Sequence, residues 1–149
     1  GGHFYTASLA SCVDMLMDSL GRITELLDRQ VLLLMHPNTS HGLPENLGTH
    51  EELHVKGIHQ LISAMQQQIR SLALPSRLMS FSAESNNQDV LPCSMSALHN
   101  LSKTIEISNH IAKASMFVSE RGCYYRYNID IPSHLKLDSW QNNNIRKII

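Results

Sequence analysis

Apolar side chains recur at helical spacing along the first part of the chain. Leu9, Val13, Leu16, Leu20, Ile23, Leu27, Val31 and Leu34 follow at steps of three and four, laying one apolar stripe along the segment. It stops at His36-Pro37, where Pro37 and the Asn38-Thr39-Ser40 cluster break a helix. Gly42 to Gly48 then reads as a connector. A second helix is expected beyond Thr49, a plausible N-cap with Glu52 three residues on in capping-box spacing. Its stripe is Val55, Ile58, Ile62, Met65, Ile69 and Leu72, and Pro75 closes it. A third helix starts near Pro92, suits burial of Leu98, Leu101, Ile105, Ile111 and Val118, and meets Gly122 as its stop.

The pattern predicts helices over about 5–36, 51–74 and 92–120. It makes residues 1–121 an all-α, up-and-down bundle of three or more long helices, followed by a tail over 122–149 of undefined structure. Stripes of this kind serve as bundle core or oligomer interface, since burial at ~25 cal/mol per Å² explains them without a cofactor. The first helix also carries Met15, Met17, Leu26, Leu32, Leu33 and Met35 off its main stripe. A second seam of that size predicts self-association.

Composition narrows the function classes. Of the 149 residues 42% are hydrophobic and 5% aromatic, which fits a globular helical protein and not a disordered one. A net charge of −1 gives no footprint for nucleic acid. No apolar run approaches the roughly 20 residues that span a bilayer. The beginning of the chain lacks the regions of a signal peptide. Cys12, Cys93 and Cys123, an odd count without metal spacing, predict reduced thiols and a cytoplasmic location.

Two stretches carry candidate chemistry. His50-Glu51-Glu52-Leu53-His54 matches the H-E-x-x-H zinc-peptidase pattern, with His50 and His54 as ligands and Glu51 as the base. Gly57 extends the match, but the third histidine of the longer motif would fall on Gln60, whereas His59 comes one residue early. On a continuous helix His59 lies about 140° from His54, so no bound metal is expected. The other stretch is the polar loop Glu84-Ser85-Asn86-Asn87-Gln88-Asp89-Val90. Its amides and carboxylates could form a site on a rigid scaffold, or could merely cap the third helix.

That loop resembles the Asn-Gln-Asp-Val stretch of phenylalanine and tyrosine ammonia-lyases, where histidine ammonia-lyases write Gln-Glu-Asp-His-Val. Three further stretches agree in order. Gly2-His3-Phe4-Tyr5 stands where the family has Gly-Asn-Phe-His. Gly42-Leu43-Pro44 with Asn46-Leu47 is similar to its Gly-Leu-Pro connector, and Leu74-Pro75-Ser76 with Ser80 to Ser82 to its Pro-Ala-Ser run. Together they cover residues 1 to about 120 and resemble the C-terminal helical portion of an aromatic amino-acid ammonia-lyase or aminomutase.

The resemblance implies a larger, mainly helical enzyme that eliminates ammonia from His, Phe or Tyr without redox chemistry. Its electrophile would be a methylidene-imidazolone made from an internal Ala-Ser-Gly triplet. It further implies a homotetramer with shared active sites, Gln88 and Asn87 as polar contacts to the substrate, and Phe4 as an apolar wall beside its ring. Gln88 in place of Glu leans towards Phe or Tyr; lyase and aminomutase are not separated. The chain departs from the family at His3, Tyr5 and Leu91-Pro92-Cys93, and contains no Ala-Ser-Gly. By itself it is expected to be inactive. Zinc hydrolysis and a non-catalytic helical oligomerisation module stand as alternatives.

Overall fold

The computed structural model describes residues 5–49 and 54–128. Three helices dominate it: α1 (Ala7–Met35), α2 (Lys56–Leu72) and α3 (Ser94–Tyr127). At roughly 1.5 Å per residue they are about 43, 25 and 51 Å long. α1 ends where His36 turns extended (φ −105°, ψ 124°), as the residue before a proline should. Among the described residues there is no strand, only an isolated bridge between Ala83 and Gln88, so the architecture is all-α.

The chain runs up, down and up. α1 and α3 are parallel: Thr6 meets Ser94 at one end, and Leu34 meets Gly122 and Ser40 meets Arg126 at the other. α2 runs antiparallel against them, bonding α1 from Ser63 to Asp28 and from Gln66 to the Gly21 carbonyl. Because α2 is short, the lower end of α1 and α3 is flanked instead by a 3₁₀ turn (Ser76–Met79) and the loop after it. The main core joins Val31, Met35, Leu43, Leu47, Val55, Ile62, Ile69, Ile111 and Val118. A smaller cluster of Val13, Met17 and Ala97 sits below it.

The buried face of α1 follows the expected stripe only in part: Val13 and Val31 are buried and Leu20, Leu27 and Leu34 half-buried, but the face is rotated towards polar neighbours. Ala10, Val13, Asp14, Met17, Thr24, Asp28, Val31 and Met35 point inward, while Leu9, Leu16 and Ile23 are exposed. Burying the polar members costs little because each is satisfied. Thr24 bonds back to the Leu20 carbonyl, Asp28 accepts from Ser63, and Asp14 accepts from Ser76. Hydrophobicity alone cannot register Ser63 and Ser76, which lie 35 and 62 residues from Asp28 and Asp14.

α3 differs from expectation twice. Leu98 and Ile105 are exposed, whereas Ala97 and Thr104 take the inward positions one residue earlier. Gly122 does not end the helix but lies inside it, buried against Leu34. The helix continues to Tyr127 and ends at Asn128 in the left-handed conformation (φ 49°), which asparagine tolerates. α2 begins at Lys56 with Val55 as its N-cap residue, so Thr49 is not its cap. No helix among the described residues is long and apolar enough to cross a membrane.

Candidate functional site

The polar loop is held in an unusual backbone. Glu84, Ser85 and Asn86 all have positive φ (53°, 55° and 70°), a conformation costing of order 1 kcal/mol for a residue with a Cβ. The turn closes when the Ala83 and Gln88 backbones exchange two hydrogen bonds, of 2.8 and 3.2 Å. Inside it, Ser82 donates to Asn86 Oδ1 (2.7 Å) and Asn87 Nδ2 donates to Glu84 Oε2 (3.4 Å). Asn87 is exposed and Gln88 half-buried. Gln88 makes no side-chain hydrogen bond among the described residues.

None of these side chains caps α3. Its N-cap residue is Cys93, in the left-handed region (φ 53°), with no side-chain cap. Capping therefore does not account for the loop's amides. Glu84 shares the turn with Asn87 and accepts from its side-chain amide, a pairing that only the fold makes visible.

The start of α1 borders the loop. The Tyr5 hydroxyl donates to Asp89 Oδ1 at 3.3 Å, and Thr6 Oγ1 lies 2.6 Å from Ser94 Oγ. Partial desolvation and then the Asp89 carboxylate raise the Tyr5 phenol above its ordinary 10.0. About two turns higher, the buried Asp14 carboxylate accepts from the Ser76 N–H (3.1 Å) and hydroxyl (3.0 Å). The first turns of α1 thus hold both ends of the segment between Ser76 and Ser94. α1 and α3 both begin here without a side-chain cap, so the loop sits at the positive end of two helix dipoles. Phe4, one residue before Tyr5, lies outside the described residues, as does His3.

The zinc pattern does not assemble at its described end. His54 precedes α2 and is not part of that helix. Its ring lies over Gly48, where a Cβ would come within 2.7 Å of Nδ1. His50 and Glu51 lie outside the described residues. His59 faces the other way: its Nε2 is 3.3 Å from Asp28 Oδ1 in the α1–α2 interface. No cluster of metal-ligating side chains forms among the described residues.

A model of the family described as aromatic amino acid lyase matches residues 1–139. The chain belongs to the aromatic amino acid lyase family. Within that family it is 27% identical over 121 residues to a phenylalanine ammonia-lyase of Strobilurus tenacellus, covering 79% of this chain and 17% of the relative. Two solved structures share its fold at 17% identity and 95% coverage of this chain. A histidine ammonia-lyase from Trypanosoma cruzi superposes with a TM-score of 0.78 over 28% of its length. A phenylalanine aminomutase of Pantoea agglomerans superposes with 0.80 over 29%. This aromatic amino acid lyase chain thus spans less than a third of each of these relatives.

Proposed function

We propose that this chain is the loop-bearing helical portion of an aromatic amino-acid ammonia-lyase or aminomutase, with Gln88 and Asn87 as polar contacts to the substrate. The observation that carries the reading is the meeting of two family-like stretches. The segment ending in Tyr5 and the loop ending in Asp89 are 84 residues apart in sequence and joined by a hydrogen bond. Phe4, adjacent to Tyr5, would then supply an apolar wall near the substrate ring.

The family's methylidene-imidazolone, when bound, supplies the electrophile that makes ammonia a leaving group. Its Ala-Ser-Gly precursor does not occur in this sequence, so another segment or chain must provide it. The loop suits such surroundings. Gln88 presents an amide without a partner among the described residues, able to donate to or accept from a polar ligand. The Glu84 carboxylate adds an acceptor for a substrate ammonium. Gln88 rather than Glu favours Phe or Tyr over His as substrate.

Self-association belongs to the same reading. Leu9, Leu16, Ile23, Leu26 and Leu33 leave an apolar face of α1 exposed, consistent with a homotetramer. The test of function uses an enzyme containing this chain together with the electrophile. Gln88→Ala should lower kcat at least tenfold, about 1.4 kcal/mol in the transition state, at unchanged melting temperature. A loss that tracks unfolding would assign Gln88 to structure instead.

A further inference from the structure

The Tyr5–Thr6 dipeptide stands at a departure from the family's pattern, which has His where this chain has Tyr5. Its contacts are not those its position suggests. Thr6 is the N-cap residue of α1, where a threonine hydroxyl ordinarily accepts from an amide of the first turn. Here it makes no such bond and pairs instead with Ser94, the first residue of α3, at 2.6 Å. α1 thereby forgoes a side-chain cap, of the order of one hydrogen bond, for a contact between two helix starts. Tyr5, although 37% exposed, turns its hydroxyl onto Asp89.

The loop has little else to locate it. Phe81, Ser82 and Glu84 through Asn87 are exposed. The side-chain bonds from Ser82 and Asn87 stay within the turn, and Leu91 N–H bonds Ser80 in the same segment. Among the described residues, Tyr5 to Asp89 is the one side-chain hydrogen bond that ties residues 81–90 to another part of the chain, the residue just before the N-cap of α1. Asp89 directly follows Gln88, whose backbone closes the turn on Ala83. A displacement of Asp89 is therefore passed straight to Gln88.

We propose that Tyr5 and Thr6 form a latch in which Tyr5, through Asp89, is a positioning residue for the Gln88 loop, and Thr6, through Ser94, fixes the helix start that bears it. The inference rests on the reading of Gln88 as a substrate contact and names what holds that residue in place. The latch joins α1 to the loop by side chains alone, so removing one hydroxyl loosens the turn without touching the core.

Tyr5→Phe, Asp89→Asn, the two combined and Thr6→Val test it by amide exchange. Amide exchange is read at Ala83 and Gln88, whose N–H groups close the turn. Each single variant should speed exchange there by roughly threefold to tenfold, the scale of one lost hydrogen bond, and the double variant no more than Tyr5→Phe alone. The Tyr5 phenol, identified as the absorbance change missing in Tyr5→Phe, should titrate lower in Asp89→Asn. In the electrophile-bearing enzyme, Tyr5→Phe should lower kcat about fivefold with KM and melting temperature nearly constant, and Asp89→Glu should recover more turnover than Asp89→Asn. Unchanged exchange at Ala83 and Gln88 in Tyr5→Phe, or additive losses in the double variant, overturns the latch. If exchange rises but Gln88→Ala leaves turnover intact, the latch stands and the substrate reading fails. If Gln88→Ala lowers turnover while Tyr5→Phe moves neither quantity, the latch fails and the substrate reading stands.

Discussion

Leu34 of α1 packs directly on the backbone of Gly122 in α3: a Cβ built at Gly122 would lie 2.9 Å from Leu34 Cδ2, 3.1 Å from Cδ1 and 3.3 Å from Cγ. The two longest helices are parallel, and this close approach sets their spacing near the C-terminal ends of both. Gly122→Ala is expected to destabilise the fold. Helix propensity favours alanine by about 1 kcal/mol, but overpacking costs about 1–3 kcal/mol, and all three branch atoms of Leu34 must give way. With Leu34→Ala as background the sign should reverse, since the obstruction is gone and propensity remains. Urea unfolding of the four proteins in this cycle measures it, and the same sign in both backgrounds would refute the packing argument.

Asp14 is buried, yet it accepts from both the N–H and the hydroxyl of Ser76. Asp14→Ala leaves two buried donors unpaired and should cost about 2–3 kcal/mol. Asp14→Asn retains a carbonyl acceptor and should cost roughly half as much. Equal losses from the two substitutions would mean that the charge rather than the hydrogen bonds holds the 3₁₀ turn.

The turn at Glu84–Asn86 makes a prediction of opposite sign. Ser85 has φ 55°, a conformation glycine enters freely. Ser85→Gly should leave the fold intact and raise stability by up to about 1 kcal/mol, reduced by the extra freedom of glycine in the unfolded chain. Ser85→Val should lower it, because a β-branched side chain tolerates this region least. Thermal unfolding of the two variants decides between a strained turn and a relaxed one.

Tyr5 gives the pH dependence. Its phenol is raised above 10.0, so the folded state holds that proton more tightly than the unfolded state. The contribution is then fully present below the ordinary phenol value and is lost as pH rises through the raised one. The stability gap between the parent chain and Tyr5→Phe should stay constant from about pH 6 to 9 and close only in the alkaline range. A gap that already closes below about pH 8 would mean that another group governs the contact.

Periodicity made the helices legible, and α2 most fully: Val55, Ile62 and Ile69 are buried and Ile58, Met65 and Leu72 half-buried, as their spacing implied. α1 and α3 were harder because each has apolar residues on two sides. Choosing between Leu16 and Met17, or between Ile105 and Thr104, needs the partner helix, which local spacing does not contain. Gly122 read as a stop because a glycine's role depends on what approaches it, here Leu34. At the candidate site, residue order pointed to Asn87 and Gln88. The three successive positive φ values and the Tyr5 contact with Asp89 arise from tertiary structure alone.

The apolar residues left outside the core share a heptad order. On α1 they fall at Leu9, Leu16 and Ile23, with Leu26 and Leu33 on the alternate position, and Cys12, Ser19 and Gln30 complete the seam; all are exposed. On α3, Met95, Leu98, Ile105 and Met116 follow the same seven-residue spacing and are exposed as well. The inward faces of both helices are already satisfied, so these seams are not substitutes for the core but additional to it. Spacing of this kind suits knobs-into-holes packing against further helices, and left open it would form a patch beyond the few hundred Å² usual for a soluble monomer. The chain is therefore expected to self-associate along α1 and α3. Light scattering over a micromolar dilution series should show a mass above that of the monomer. Leu16→Glu combined with Leu26→Glu should reduce it to the monomer while preserving helix content, whereas Leu61→Glu, an exposed site on α2, should leave it unchanged. A monomeric mass for the parent chain at every concentration would show that these seams do not bind a second copy.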